Sequence, residues 1–284
     1  MIREDPLQPQ DLVVTMLGAY VRPFARTVWS GGMVALLGEF GFSDGAARAA
    51  LTRLVRRDLI ARVRSGRLVH YHLTPRCERL LVEGDGRIFT LGRLPADAGP
   101  WTVLWHQIPE DRRLERSRLA RRLRFLGFGS VQDSVWVSPH DHSAEVAELL
   151  EDLGVAGFAA VFVATMREGP GWAALVGRAW NLSGLEERYE AFGSEFSRYL
   201  SPDSSLSDRH AFEIRTRMTH VFRAFAQLDP ELPDELAPLS KPRSRAANIF
   251  EALYTGLAAA SQRHFDAVTT TSSEPPPQRT LKQP

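Results

Sequence analysis

The chain has 284 residues, of which 44% are hydrophobic and 24% charged, and its formal net charge is +1. This composition is typical of a globular protein of two domains or more, and no apolar run approaches the roughly 20 residues that a membrane-spanning helix needs. The first residues lack the apolar core of a secretory signal peptide, so we expect a cytoplasmic protein that does not enter the membrane.

Three helices are predicted within the first sixty residues. Apolar side chains recur at helical spacing over residues 13–21, after the potential N-cap Asp11. Ser30 is the potential N-cap of a second, short helix, which Gly41 is placed to end. Ser43 follows this turn and can cap a third helix.

The third predicted helix has one apolar face and one basic face. Its inward face would carry Ala47, Leu51, Leu54 and Val55. The opposite face carries Gly45, Ala49, Thr52, Arg53 and Arg56, with Arg48 and Arg57 at the flanks. Small side chains permit close approach while arginines bind phosphates and base edges, as a helix in the major groove of DNA requires. The alternative is a solvated basic face on an ordinary surface helix.

A basic β-hairpin is predicted directly after this helix. Two alternating runs, 60–64 and 67–73, flank a Ser-Gly turn, and we expect His70 and His72 on the outer face of the second strand. We predict a winged helix-turn-helix over residues 1–92, because this fold has the same order of elements: helix, short helix, turn, basic helix and basic hairpin. This order favours DNA binding over the solvated-surface alternative.

The middle of the chain predicts a different fold. A linker is expected at 92–99, and the module that follows, over 99–168, has the order strand, helix, strand, strand, helix, strand of a ferredoxin-like βαββαβ domain. Its elements are predicted at 101–105, 112–126, near Val131, 134–137, 143–153 and 158–163. The whole chain is therefore predicted to be an α+β multidomain protein.

The last third of the chain is predicted to be helical. Three apolar stripes at helical spacing indicate a C-terminal helical domain over residues 172–268. Residues 269–284, rich in Thr, Ser and Pro, predict a disordered tail.

Charge is distributed unevenly between the two halves of the sequence. Residues 1–132 contain 21 basic and 13 acidic side chains, a net charge of +8, whereas residues 133–284 contain 14 and 21, a net charge of −7. Only Lys241 and Lys282 are lysines, so nearly all the positive charge is on guanidinium groups, which bind phosphates and base edges. This pattern indicates that the first half binds a polyanion.

Four segments of the sequence share one family pattern: residues 17–23, residues 42–57, Ile108-Pro109-Glu110 with the arginine-rich helix after it, and Trp136-Val137-Ser138-Pro139. Together they resemble the PaaX family of bacterial transcriptional repressors. The resemblance extends to about Val268. It implies a winged helix and a central domain similar to a small CRISPR-associated nuclease family, which would serve dimerisation in a homodimer. It also implies a helical C-terminal domain with a role in effector binding or dimerisation.

The resemblance also implies a function and a set of contact residues. A member of this family would repress an aromatic-acid catabolic operon of the phenylacetate type by binding double-stranded DNA at an inverted repeat. An aryl-coenzyme A thioester such as phenylacetyl-coenzyme A, or a related aromatic effector, would release it. The implied DNA contacts are Arg48, Thr52, Arg53 and Arg56 on the third helix, Arg64 and Arg67 on the hairpin, and, as the weakest candidate, Arg57 nearer the packed face. No effector-binding residue is assigned.

Two alternatives to a regulator remain open in the sequence. A metal-dependent nuclease would need a carboxylate near the end of the first central strand, but Trp105-His106-Gln107 stand there, and Asp111 and Asp133 are the nearest acids. The second alternative is a scaffold that binds a protein partner through its basic face.

The sequence does not predict a metal site. The pairs His70/His72 and His140/His142 lack further ligands, and Cys77 is the only cysteine, so we expect no metal, no cofactor and no enzyme activity.

Overall fold

The computed structural model describes residues 7–24, 26–93, 99–165, 169, 171–201 and 206–270, without the side chains of residues 172 and 173. The fold is α+β, as predicted, with two antiparallel sheets. The chain forms two compact units. The first comprises Met1–Phe89, Ser194–Arg223 and Asn248–Pro284, and the second comprises Thr90–Gly193 and Ala224–Ala247.

The helices and strands are numbered in chain order. The helices are α1 (Pro9–Met16), α2 (Ser30–Glu39), α3 (Asp44–Arg56), α4 (Pro75–Thr90), α5 (Arg113–Phe125), α6 (Ser143–Asp152), α7 (Trp172–Ala179), α8 (Leu185–Phe196), α9 (Asp208–Leu228), α10 (Ser240–Gly256) and α11 (Ala258–Thr269). The strands are β1 (Val28–Trp29), β2 (Ile60–Ser65), β3 (Leu68–Leu73), β4 (Trp101–His106), β5 (Gly129–Gln132), β6 (Val135–Ser138) and β7 (Ala159–Ala164).

The predicted helix α3 and the hairpin after it are confirmed. The Ser43 hydroxyl accepts a hydrogen bond from the Ala46 N–H at 3.3 Å, which caps α3 as expected. β2 and β3 pair antiparallel from Ile60 opposite Leu73 to Ser65 opposite Leu68. Gly66 turns the chain between them with φ of +59°, a conformation that glycine adopts without strain.

Three local predictions in the first unit are wrong. Asp11 lies inside α1, which begins at Pro9, a residue whose fixed φ suits the first turn of a helix. Ser30 is the first residue of α2 rather than its cap, because Trp29 is still extended in β1. His70 is buried, since β1, a strand that was not predicted from the sequence, pairs with β3 and places Trp29 opposite it.

The core of the first unit joins distant parts of the sequence. Phe265 of α11 is fully buried, and its ring stacks on that of Tyr20 with centroids 5.0 Å apart. The Tyr20 hydroxyl lies 2.9 Å from the Thr216 hydroxyl of α9. His264 of α11 lies 2.9 Å from the carboxylate of Glu39 at the end of α2. The C-terminal helix is therefore part of the core that supports α2 and α3.

The second unit contains a four-stranded antiparallel sheet with the order β5-β6-β4-β7. Thr102 of β4 lies opposite Ser138 of β6 on one side and Val163 of β7 on the other. Helices α5 and α6 bury Leu119 and Val146 in the core with this sheet. The helices and strands predicted between 101 and 163 are thus confirmed.

Two predicted segments lie largely outside the described residues. The predicted linker at 92–99 includes 94–98, and the predicted tail includes 271–284. The division into domains at 1–92, 99–168 and 172–268 stays a prediction. No helix in the described ranges combines the length and the apolar character needed to cross a membrane.

Candidate nucleic-acid interface

Helix α3 turns its basic face away from the core. Ala47, Ala50, Leu51 and Leu54 are buried beneath it. Arg48 and Arg56 are exposed, and Thr52 between them is half-buried, so these three residues form a row four residues apart along the helix. Most of this face is therefore open to a ligand.

The other predicted residues of α3 differ in their surroundings. Arg53 is exposed and its Nε donates a hydrogen bond to the Gln10 Oε1 at 3.2 Å, which holds its guanidinium beside the start of α1. Arg57, expected nearer the packed face, is exposed at the C-cap of the helix. The Thr52 hydroxyl donates to the Arg48 carbonyl at 2.9 Å, which leaves its oxygen lone pairs as acceptors.

The hairpin adds a second row of arginines. Arg62, Arg64 and Arg67 are all exposed, and Arg67 directly follows the turn glycine. Residues 62 and 64 alternate along β2 and so share a face, opposite Tyr71 and Val69 of β3. In the ranges that the structure describes, no carboxylate pairs with any of these three arginines.

A cleft lies between α3 and the hairpin and brings four of these side chains together. Its volume is about 300 Å³, and its polar lining consists mainly of Arg48 and Thr52 from α3 and Arg62 and Arg64 from β2. We call it the arginine cleft. Three of these four residues were predicted from the sequence. Arg62 was not, although its alternation with Arg64 was a signal that could have identified it.

A second concavity in the first unit is lined by apolar and charged side chains in about equal number. Its volume is about 600 Å³, and Phe40, Phe196 and Ile214 line it with several charged residues. We call it the aromatic groove. Its three carboxylates are already paired. Glu195 lies 2.9 Å from Arg217, Glu39 lies 2.9 Å from His264, and Glu213 lies 2.9 Å from Arg209. Phe40 directly precedes the turn into α3.

In the residues described for the second unit, no arrangement suits metal-dependent cleavage. His106 at the end of β4 is buried, and burial lowers its pKa, which favours the neutral ring. Asp111 is exposed in a short 3-10 helix and Asp133 in a turn, both outside the strands. Among the residues described, no group of three or more histidine, cysteine, aspartate or glutamate side chains is placed to hold a metal ion.

Comparisons with known proteins give consistent matches along the chain. Residues 8–77 match the family model described as PaaX-like protein, residues 95–176 the PaaX protein central Cas2-like domain, and residues 180–267 the PaaX-like protein C-terminal domain. Transcriptional repressor PaaX of Escherichia coli (strain K12) is 30% identical over 244 residues, which cover 82% of this chain and 75% of the relative.

A solved structure shares the fold. Uncharacterized protein Rv0674 from Mycobacterium tuberculosis superposes with a TM-score of 0.50 and 22% sequence identity, over 92% of this chain and 98% of the other. At this identity the likeness concerns the fold alone.

Proposed function

Because the chain belongs to the PaaX family of transcriptional repressors, we propose that it represses transcription by binding double-stranded DNA through its first unit. The observation that carries this proposal is the exposed arginine row of α3 beside the basic hairpin β2–β3. Guanidinium groups on two adjacent elements bind a phosphate backbone and leave a helix face free for base edges.

The proposed DNA-binding fold is a winged helix-turn-helix. α2 ends before Gly41, whose φ of +83° permits the tight turn into α3, and the hairpin follows α3 without an intervening helix. In this arrangement α3 enters the major groove and the hairpin tip contacts phosphates or the minor groove. The proposed contacts are Arg48, Thr52, Arg53, Arg56 and Arg57 on α3, and Arg64 and Arg67 on the hairpin.

A homodimer is proposed for the complete regulator. The strand order β5-β6-β4-β7 supports a ferredoxin-like central domain, to which we assign dimerisation. Two copies of α3 related by a two-fold axis would bind an inverted repeat with half-sites one or more helical turns apart. A nuclease is not proposed, because the end of β4 presents His106 instead of a carboxylate.

The proposal is tested by fluorescence anisotropy on two duplexes over a salt series. One duplex comes from upstream of the protein's own gene, and the other has the same bases scrambled. We expect tight binding to the native duplex alone at about 150 mM salt, because base contacts persist when counterions compete for phosphates. Equal and weak binding to both duplexes would contradict sequence-specific repression by this region.

The effector of the repressor is proposed to be an aryl-coenzyme A thioester or a related aromatic compound, as in a phenylacetate catabolic operon. The aromatic groove supports a site for the aromatic part, since its size suits a small ligand and Phe40 connects it to the turn before α3. A ligand there releases DNA only if it binds the free form more tightly than the bound form.

Filling the groove tests this effector site. Ile214→Trp is expected to abolish the release of DNA by phenylacetyl-coenzyme A and by other members of an aryl-coenzyme A panel, while duplex affinity stays unchanged. The measurement is the anisotropy of the preformed complex during effector titration. Leu228→Trp, at an exposed position on α9, is the matched control and should respond like the wild type. Normal release from the Ile214→Trp variant would exclude the groove.

A further inference from the structure

The two arginines of β2 lie on the side of the hairpin that faces the core. Arg62 is opposite Tyr71, which is 6% exposed, and Arg64 is opposite Val69, which packs against the core of the first unit. Both arginines line the arginine cleft while remaining exposed. Both side chains therefore start on the face of the hairpin that packs on the core, and they are long enough for their guanidinium groups to reach solvent.

The opposite wall of the cleft comes from two helices. α3 contributes Arg48 and Thr52, and α2 contributes Ser30, its first residue. No side chain caps the N-terminus of this ten-residue helix, and the first N–H groups of a helix have no intrahelical acceptor. The positive end of the α2 dipole thus adds to the arginine charges.

The charge in this cleft is almost uncompensated. Three guanidinium groups line it, and no carboxylate does so in the part of the chain that is described. Arg48 has one distant partner, Asp44 at 3.7 Å, in a pair whose side chains are 67% and 79% exposed. An exposed pair of this kind contributes little, so an anion in the cleft would relieve the repulsion among the three arginines.

We propose that the arginine cleft is a binding site for one phosphodiester group, held jointly by Arg48, Arg62 and Arg64. The inference rests on the proposed function and deepens it, because it assigns a DNA contact to Arg62 and connects the helix and the hairpin through a single phosphate. Bidentate guanidinium contacts suit the tetrahedral phosphate oxygens, and the N-terminus of α2 stabilises the negative charge. The cleft would fix the angle at which α3 enters the groove.

A shared phosphate makes a distinctive prediction about salt dependence. Each neutralised phosphate contributes about 0.9 to the slope of log affinity against log salt concentration. If the three arginines share one phosphate, the triple variant Arg48→Gln/Arg62→Gln/Arg64→Gln reduces the slope by about 0.9. If each arginine neutralises its own phosphate, the same variant reduces it by about 2.7.

The experiment uses the full-length protein and a duplex of unrelated sequence, since a phosphate contact does not depend on the operator. Anisotropy is measured over a salt series for the wild type, the triple variant and the control Arg245→Gln, an exposed arginine of α10. The slope is expected to fall by about 0.9 for the triple variant and to stay unchanged for the control. A fall of about 2.7, or none at all, would overturn the shared site.

A double-mutant cycle provides an independent readout of the same site. The affinity change of the double variant Arg48→Gln/Arg62→Gln is expected to differ from the product of the two single-variant affinity changes by more than about twofold, because both side chains contact one ligand. Strictly multiplicative changes would overturn the proposal. Circular dichroism of each variant verifies that these exposed substitutions leave the fold intact.

Titration with inorganic phosphate separates failure of this site from failure of the proposed function. The readout is the arginine Nε–H signals in ¹H–¹⁵N spectra of the full-length protein. We expect phosphate to shift signals that Arg48→Gln and Arg62→Gln each remove. If the wild type binds no duplex but shows these shifts, the anion site stands and the repressor proposal fails. If phosphate shifts none of these signals, the anion site is overturned whatever the DNA result.

Discussion

Replacement of Arg56 with alanine is expected to weaken binding to the native duplex by about 1–3 kcal/mol if the guanidinium contacts a base edge. Arg56 is exposed near the end of α3, in the same row as Arg48 and Thr52, and its side chain is outside the arginine cleft. The measurement is the dissociation constant by fluorescence anisotropy on the native and scrambled duplexes. Loss of discrimination between them would identify Arg56 as a base contact.

Salt dependence then distinguishes the two roles that Arg56 can have. If its guanidinium binds a phosphate, Arg56→Ala reduces the slope of log affinity against log salt concentration by about 0.9, whereas a role in base recognition leaves the slope nearly unchanged. Arg245→Ala removes the same charge from an exposed position of α10 and should leave both affinity and slope unchanged. Unchanged affinity and slope in Arg56→Ala would remove this residue from the interface.

The second large effect concerns the stability of the second unit, where a buried ion pair joins the end of α9 to α10. Arg243 donates from Nε to Asp229 Oδ2 at 2.7 Å and from Nη2 to Oδ1 at 3.0 Å. The Tyr189 hydroxyl donates to Asp229 Oδ2 at 2.7 Å, and the Glu231 N–H donates to Oδ1 at 2.7 Å. Burial and the neighbouring Asp229 carboxylate raise the pKa of Tyr189, which keeps this hydroxyl protonated as a donor.

Asp229→Ala is expected to lower the free energy of unfolding by about 3–5 kcal/mol, because it leaves the Arg243 guanidinium buried without its counterion. The side chains of Arg243 and Asp229 are only 7% and 0% exposed, so the guanidinium left behind is shielded from bulk water. Urea denaturation followed by circular dichroism measures this change.

The matched control is Glu235→Ala, which removes an exposed carboxylate of the same unit and should change the free energy of unfolding by less than about 0.5 kcal/mol. Asp229→Leu/Arg243→Met removes both charges and should recover part of the stability, because no uncompensated ion remains, whereas the Tyr189 hydroxyl and the Glu231 N–H still lose their acceptor. If Asp229→Ala were as stable as Glu235→Ala, the ion pair would have no role in holding α9 and α10 together.

The local elements were largely predictable from the sequence because their signals lie within a few residues. Ser43 caps α3 because a serine precedes an amphipathic stripe, and Gly66 turns the hairpin between two alternating runs. In the second unit the predicted strands agree with β4 and β7 to within about a residue at each end. Here periodicity and turn residues agree with the final fold, which makes such segments easy to predict.

Two of the three errors in the first unit arose where a neighbour distant in sequence decided the outcome. In the alternating pattern of β3, His70 is at an outward-facing position. The two-residue strand β1 pairs with β3 at this position, and the His70 side chain is buried. β1 is too short to give a periodic signal. Ser30 has the composition of an N-cap, yet the pairing of Trp29 with β3 shifts the start of α2 by one residue. Tertiary pairing thus overrode local preference at both positions.

The sequence by itself determined many of the helices, the hairpin, the order of the central strands and the basic character of the α3 face, because periodicity shows which side of an element is apolar. It does not show what that side packs against. Only the tertiary structure placed Phe265 beside Tyr20, and only the strand register placed Arg62 with Arg48 in one cleft. Contacts between residues far apart in the chain depend on how buried faces fit together, and that fit has no local signature.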